Sequence, residues 1–154
     1  MTGFDNDSIT LFGNAGDDNI NGTDAEDTLY GGEGNDRILS AGGNDTLSGG
    51  SGDDYLEGGA GADTYIVSEG CDTISDNSGN NIIKIISDYS DSVILERHNW
   101  NDLFISYGDN KTLIISGYFV LEENRNYTIQ FNDGKKYIIK LSDDGNSPSI
   151  EVAE

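Results

Sequence analysis

Aspartate recurs at a fixed interval of nine residues along the first half of this 154-residue chain. A large apolar side chain follows two positions after each of these aspartates. The aspartates are Asp18, Asp27, Asp36, Asp45, Asp54, Asp63 and Asp72, and the apolar residues are Ile20, Leu29, Ile38, Leu47, Leu56, Tyr65 and Ile74. A strict period of this kind predicts a stacked repeat, in which each unit buries its apolar residue against the neighbouring units.

Glycines crowd the five positions that precede each aspartate, most completely in residues 31–36 and 49–54. Stacking in register brings the carboxylates together, so a cation is needed to neutralise them. Calcium takes about six to eight oxygens from carboxylates and backbone carbonyls. Glycine lets the backbone bring carbonyls close to an ion. The residues themselves therefore indicate calcium as the cation.

The pattern Gly-Gly-x-Gly-x-Asp-x-apolar-x resembles the haemolysin-type nonapeptide repeat of the RTX (repeats-in-toxin) family. It is followed most closely in residues 31–39, 49–57 and 58–66. The resemblance implies an all-β fold, a parallel β-roll in which six residues of each unit form a turn and three form a strand. It also implies about five Ca2+ ions, each between units two apart in sequence. The implied pairs are Asp18 with Asp36, Asp27 with Asp45, Asp36 with Asp54, Asp45 with Asp63, and Asp54 with Asp72.

The metal ligands follow from the same resemblance. Side-chain ligation is expected from the seven aspartates and backbone ligation from the turn glycines, which are Gly13, Gly16, Gly31, Gly32, Gly34, Gly43, Gly49, Gly50, Gly52, Gly58, Gly59 and Gly61. Some positions depart from the family pattern. Glycine is replaced at Asn14, Thr23, Ala25, Ser40 and Ala41, and Asn81 stands where an eighth aspartate would be.

Two alternatives to the roll are a disordered acidic linker and an EF-hand. The register of the apolar residues argues against the linker, since a solvated segment does not need it. An EF-hand requires a twelve-residue loop with a central glycine and a closing glutamate. No loop in this chain has that combination.

The chain has a net charge of −21, and residues 1–76 hold 17 acidic side chains and a single base, Arg37. Self-repulsion of this size opposes a compact state, so we expect the roll to fold only with calcium. Extracellular calcium modules bind with dissociation constants on the order of 10⁻⁴ to 10⁻³ M. The charge also excludes nucleic acid as a partner. Cys71 is the only cysteine, so no intrachain disulfide is expected.

The second half changes to alternating β-branched and aromatic segments. Strands are predicted at 82–86, 92–96, 103–107, 112–116, 127–131 and 136–141, with hairpin turns at 108–110 and 132–134. We divide the chain into a degenerate lead-in (1–12), the β-roll (13–76) and an antiparallel β cap (77–154). The cap resembles the segment that often follows RTX repeats, and its core is predicted to contain Trp100, Tyr107, Tyr118 and Phe119.

No catalytic constellation is present, and His98 is the only histidine, so the chain is predicted not to be an enzyme. No apolar stretch is long enough to span a membrane, and the N-terminus lacks the pattern of a cleaved signal peptide.

The RTX resemblance implies a secreted, monomeric calcium module of a larger protein from a Gram-negative bacterium. That protein would be a toxin, adhesin or hydrolase, exported by a type I secretion apparatus. Residues 149–154 are compatible with its C-terminal signal. The alternative is a module that binds a cell-surface or glycan ligand and in which calcium is purely structural.

Overall fold

The computed structural model describes residues 7–76, 78–86, 93–98, 102–107, 111–117, 126–132, 134–141 and 148–152. These residues form 15 strands, numbered β1 to β15 in chain order. The strands belong to two sheets of eight and seven strands. None of the described residues is helical, as predicted.

The first sheet begins with five parallel strands that lie 18 residues apart in sequence. They are β1 (Thr10–Ala15), β3 (Thr28–Glu33), β5 (Thr46–Ser51), β7 (Thr64–Val67) and β9 (Asn80–Ile85). Leu29 pairs with Leu47 and Leu47 with Tyr65, so identical repeat positions stack on one another. Two nonapeptides therefore make one turn of the coil.

The intervening units build the second sheet in the same way. Its parallel strands are β2 (Asn19–Asn21), β4 (Arg37–Leu39), β6 (Tyr55–Glu57) and β8 (Cys71–Ser75). The chain thus alternates between the two sheets, which is the predicted parallel β-roll. Cys71 is a free, exposed thiol.

The interior of the roll is formed by the apolar residue of each unit. Ile20 is 7% exposed and the other six are fully buried, as is Ile83 in β9. Burying one such side chain contributes about 1.5–3 kcal/mol. Because each unit adds only one of these residues, no single unit has a core of its own.

The strands of the two sheets differ in length, which the sequence did not predict. Those of the second sheet are three residues long up to β6, whereas β1, β3 and β5 have six residues each. The longer strands continue through the glycine pair of the next turn, where Gly32 pairs with Gly50. Sheet pairing therefore extends into the turns along one side of the roll.

The second half continues both sheets. In the second sheet, β12 (Lys111–Ser116) lies parallel to β8, followed by the antiparallel strands β11 (Asp102–Tyr107) and β10 (Ile94–His98). In the first sheet, β13 (Asn126–Phe131) lies parallel to β9, followed by the antiparallel strands β14 (Lys136–Leu141) and β15 (Pro148–Val152). Each predicted strand overlaps an observed one, with β9 and β10 displaced from the predicted 82–86 and 92–96, and both antiparallel pairings are confirmed. The strand β15 was not predicted, and the parallel attachment of β12 and β13 to the roll was not foreseen.

One apolar cluster runs through the roll and the C-terminal strands. Leu103, Ile105, Leu113 and Ile115 belong to it together with the repeat residues. Tyr107 is 1% exposed, which confirms its predicted core position. Trp100, Tyr118 and Phe119 lie outside the described residues, as does the predicted turn at 108–110.

Candidate metal-binding turns

The turns of the roll form two columns, one on each side, in which successive turns are 18 residues apart. The first column consists of the turns that end in Asp18, Asp36, Asp54 and Asp72. The second column consists of the turns that end in Asp27, Asp45, Asp63 and Asn81. Six of the seven aspartates are at most 2% exposed, Asp18 being the partly exposed one.

A ladder of hydrogen bonds joins the aspartates within each column. The backbone N–H of Asp18 donates to Oδ1 of Asp36 over 2.8 Å. The same bond joins Asp27 to Asp45 at 2.7 Å and Asp54 to Asp72 at 3.2 Å, and it also joins Asp36 to Asp54 and Asp45 to Asp63. These hydrogen bonds join the same five aspartate pairs between which the RTX resemblance implies calcium ions.

The second carboxylate oxygen has a different environment. Oδ2 is buried and has no hydrogen-bond partner within the described structure in five of the aspartates, Asp18, Asp36, Asp45, Asp54 and Asp63. Removing an ionised carboxylate from water is unfavourable unless a charge or a donor compensates it. In five of the turns the structure therefore leaves one carboxylate oxygen that a bound cation would compensate.

The pKa values of several carboxyl groups reflect this burial. Desolvation raises the pKa of Asp45 and of Asp63 to about 6 and that of Asp72 to about 7. The pKa of Asp54 is raised for the same reason, with a smaller contribution from the charge of Asp36. An inserted cation would compensate the burial and the repulsion together.

One group of the predicted glycines gives the carboxylate the space it occupies. A Cβ at Gly31, Gly49 or Gly58 would collide with Oδ2 of the aspartate five residues later, and a Cβ at Gly13 would lie 2.6 Å from Oδ2 of Asp18. A side chain at these four positions would therefore overlap with the carboxylate as it now lies. In the turn that ends in Asp45 the equivalent position is Ser40.

The other predicted glycines all adopt positive φ, which brings their carbonyls into the column. They are Gly16, Gly32, Gly34, Gly43, Gly50, Gly52, Gly59 and Gly61. A Cβ at Gly34 would lie 2.5 Å from the carbonyl oxygen of Gly16 in the turn below. Asn14 and Ala41 adopt the same conformation with φ of 79° and 77°, so these substitutions preserve the turn and place a side chain in the left-handed region.

The turn that ends in Asp27 is built differently. Thr23 replaces a glycine there, and its backbone N–H donates to Oδ2 of Asp27 over 2.6 Å. Its hydroxyl lies 3.1 Å from the same oxygen. Neither Thr23 nor Ala25 has a positive φ. Oδ2 of Asp27 therefore has protein donors, whereas Oδ2 of Asp45 and Oδ2 of Asp63 have none within the described structure.

A second set of side-chain hydrogen bonds, which the sequence analysis did not identify, runs beside the aspartate ladder. Oδ1 of Asp17 accepts the N–H of Asn35, Oδ1 of Asn35 accepts that of Asp53, and Oδ1 of Asp53 accepts that of Cys71. Asn44 does the same for Ala62. The signal was the recurrence of Asp or Asn immediately before the repeated aspartate.

The last turn of the second column is closed by polar groups of the chain. Asn81 occupies the aspartate position, and its amide oxygen accepts the N–H of Asp63 over 2.9 Å. Its amide nitrogen donates to Oδ2 of Asp76, which also accepts the hydroxyl of the buried Tyr65. A neutral residue thus continues the ladder.

The donor set fits calcium. Among the residues that the structure describes, no three acidic, histidine or cysteine side chains come together as a metal cluster. Carboxylates alone would not complete a shell of about six to eight oxygens. The stacked glycine carbonyls can supply the remainder, since they lie in the same turns as the free Oδ2 atoms. Hard oxygen donors of both kinds are those that calcium prefers.

Comparisons with known proteins agree with this geometry. The family model for the RTX calcium-binding nonapeptide repeat matches residues 2–38, 12–47 and 39–74. No curated protein sequence gives a significant match.

Among solved structures, the extracellular lipase LipA from Serratia marcescens is 30% identical over 70% of this chain and 18% of the lipase, with a TM-score of 0.60. The AlgE6R3 subunit of the Azotobacter vinelandii mannuronan C5-epimerase is 22% identical over 73% of this chain and 78% of that subunit, with a TM-score of 0.54. The AlgE6R2 subunit is 20% identical over 80% of this chain and 92% of that subunit, with a TM-score of 0.57.

Proposed function

The repeat array in residues 2–74 of this chain belongs to the family of RTX calcium-binding nonapeptide repeats, and we propose that its function is to fold on binding extracellular calcium. RTX repeats imply a calcium-binding β-roll, which is a structural module. The single observation that carries the proposal is the set of five buried Oδ2 atoms without partners. A switch of this kind keeps the array unfolded at low cytosolic calcium and folds it outside the cell.

Each ion would be held between successive turns of one column. The aspartate carboxylates would supply charge, and the carbonyls of the predicted turn glycines would supply the remaining oxygens. Bound calcium would neutralise the stacked carboxylates. We propose about five ions, one for each aspartate pair, and expect the Asp27–Asp45 position to be weaker because Thr23 already donates to Oδ2 of Asp27.

We further propose that the module serves a larger secreted protein. RTX repeats occur in extracellular proteins, and the chain spans only 18% of the length of the extracellular lipase that it matches. The activity of the whole protein would then lie elsewhere, and this chain would support folding and type I secretion in a Gram-negative bacterium as a monomeric, non-catalytic unit.

No helix in the described part of the chain is long and apolar enough to cross a membrane. The division into lead-in (1–12), roll (13–76) and cap (77–154) belongs to this proposal, and the ligand-binding alternative stays a hypothesis.

The test is far-UV circular dichroism during a calcium titration in a chelator-buffered solution. We expect a cooperative transition from coil to β-sheet at a calcium concentration on the order of 10⁻⁴ to 10⁻³ M. Magnesium should not produce it, because magnesium demands a smaller octahedral shell and releases its water reluctantly. A β-sheet signal that is the same in excess chelator as in millimolar calcium would contradict the proposal.

A further inference from the structure

A lysine from the C-terminal half lies against the last turn of the first column. Nζ of Lys111 donates a hydrogen bond to the carbonyl oxygen of Ser68 over 3.3 Å. Lys111 is the first residue of β12, which pairs with β8 directly after that turn. The side chain is partly buried, and its charge acts on Asp72.

The carbonyl that Lys111 contacts belongs to a repeated position. Ser68 lies four residues before Asp72, as Gly50 does before Asp54 and Gly32 before Asp36. The hydroxyl of Ser68 donates to the carbonyl oxygen of Gly50 over 2.6 Å. The Ser68 hydroxyl thus contacts the carbonyl of the preceding turn, and the Lys111 ammonium contacts the carbonyl of Ser68. The ammonium group lies on the side of this last turn where the next turn of the roll would begin.

Among the described residues of this next step, the aspartate position of the first column holds no carboxylate. The strand pairing places Leu113 opposite Asp72, whereas every earlier coil of the column has an aspartate in the corresponding position. An additional metal ion beyond Asp72 would lack its main ligand. The face of the last turn that points to β12 still presents the Ser68 carbonyl and the nearby charge of Asp72.

We propose that the Lys111 ammonium is a fixed cation that ends the first column, in the position where a further calcium ion would otherwise be needed. This inference rests on the proposed function, since it takes the earlier positions of the column to hold calcium. The second column ends in another way, because Asn81 is neutral and is satisfied by the neighbouring backbone and by Asp76. The first column thus ends with a positive charge that compensates its last carboxylate, and the second column ends with a neutral residue in place of an aspartate.

The test is hydrogen–deuterium exchange of the full chain as a function of calcium concentration, for Lys111→Met, Lys111→Arg and the control Lys84→Met. Lys84 is an exposed lysine on β9, so its substitution makes the same change in net charge. In Lys111→Met, protection of residues 68–75 should require about twofold to fivefold more calcium, the change expected for the loss of one partly exposed charged contact. Protection of residues 31–36 should shift less, because the last turn of the roll can open locally while the other turns stay folded.

Lys111→Arg and Lys84→Met should leave residues 68–75 unchanged. The proposal is overturned if Lys111→Met does not shift residues 68–75, or if Lys111→Arg shifts them as much. Lys111→Met could also show no protection of residues 68–75 even in saturating calcium. In that event, protection of these residues in Lys111→Arg supports the role of the charge, and lack of protection in Lys111→Arg overturns it. Failure of the proposed function has a separate signature, which is equal protection of all turns of the unsubstituted chain in chelator and in calcium. In that case the inference about Lys111 falls with the proposed function, because it takes the earlier positions of the column to hold calcium.

Discussion

At the scale of the residue, each repeated aspartate performs two tasks with its two carboxylate oxygens. Oδ1 accepts a backbone N–H from the turn 18 residues earlier, as in the bond from Asp27 to Asp45. Oδ2 is buried without a partner in five of the turns. Asn81 separates the two tasks, because its amide oxygen accepts the N–H of Asp63 although it brings no charge. Hydrogen bonding along the ladder therefore needs only an oxygen, and the negative charge of the aspartates is not required for it.

Replacing Asp45 by asparagine should impair calcium binding while keeping the ladder. Asp45→Asn keeps an acceptor for Asp27 but removes one charge, so the calcium midpoint of folding should rise about threefold to tenfold, since the affinity of such sites depends on their charge count. The control is Asp17→Asn, which changes the net charge equally at an exposed acceptor in the neighbouring hydrogen-bond column. Circular dichroism titrations of both variants make the comparison. Equal midpoints would show that general charge, and not the buried carboxylate, sets the calcium requirement.

At the scale of the element, the turn is shaped by two kinds of glycine. Those with positive φ bend the chain so that carbonyls of successive turns stack, as between Gly16 and Gly34. The first glycine of the turns at Gly31, Gly49 and Gly58 has no special φ, and the carboxylate lies where its side chain would be. Ser40 holds this position in the turn that ends in Asp45, so that turn accommodates a side chain there. The three-residue strands that follow are too short to be stable alone, and they gain their stability from pairing with the coils on either side.

An alanine at Gly31 should destabilise the calcium-loaded fold through steric overlap. Its Cβ would meet Oδ2 of Asp36 and would lie 2.6 Å from the carbonyl oxygen of Gly49. We expect a loss of about 1–3 kcal/mol in the free energy of unfolding, typical of overpacking at a tight site. Gly42→Ala is the matched control within the array, because the nearest atom to its Cβ would be 3.7 Å away.

Urea denaturation in saturating calcium measures both variants. Gly42→Ala should unfold at the urea concentration of the unsubstituted chain or slightly above it, since alanine restricts the unfolded chain more than glycine does. Similar losses for the two variants would mean that the cradle around the carboxylate is not what requires Gly31.

At the scale of the whole molecule, the C-terminal half extends the roll. Each sheet receives one parallel strand, β12 on β8 and β13 on β9, before antiparallel strands follow. A roll that stopped at its last repeat would leave both sheet edges and its apolar interior open. The added strands continue the same apolar cluster, and they bury more apolar side chains per strand than the repeats do, as Leu103, Ile105 and Tyr107 in β11 show.

Shortening the chain should raise the calcium concentration needed for folding in two steps. A chain of residues 1–86 keeps β9 and Asn81 but loses β12 and β13, and a chain of residues 1–76 also loses the last parallel strand. The calcium midpoint in circular dichroism should be lowest for the full chain and highest for residues 1–76. A chain of residues 1–76 that folds at the same calcium concentration as the full chain would contradict a supporting role for the C-terminal half.

The sequence by itself determined the stacked repeat and its buried apolar residues. This was possible because an interval of nine residues fixes which side chain of each unit is equivalent to which, whatever lies elsewhere in the chain. The parallel β-roll, in which units two apart stack, and the aspartate pairs were what the resemblance of this repeat to the RTX family implied. The strands of the second half other than β15 were also predictable from their alternation and their turns.

Only the tertiary structure decided the interactions between residues that no repeat relates. The parallel attachment of β12 and β13, the contact of Lys111 with Ser68, and the hydrogen bond of Tyr65 with Asp76 join positions whose separation in sequence carries no periodic signal. The hydrogen bond from the backbone N–H of Thr23 to Oδ2 of Asp27 was also visible only in the folded turn. In the sequence, threonine in place of glycine is no more than a departure from the repeat pattern. Periodicity specifies contacts between equivalent positions, whereas the ends of a repeat depend on the particular side chains that meet there.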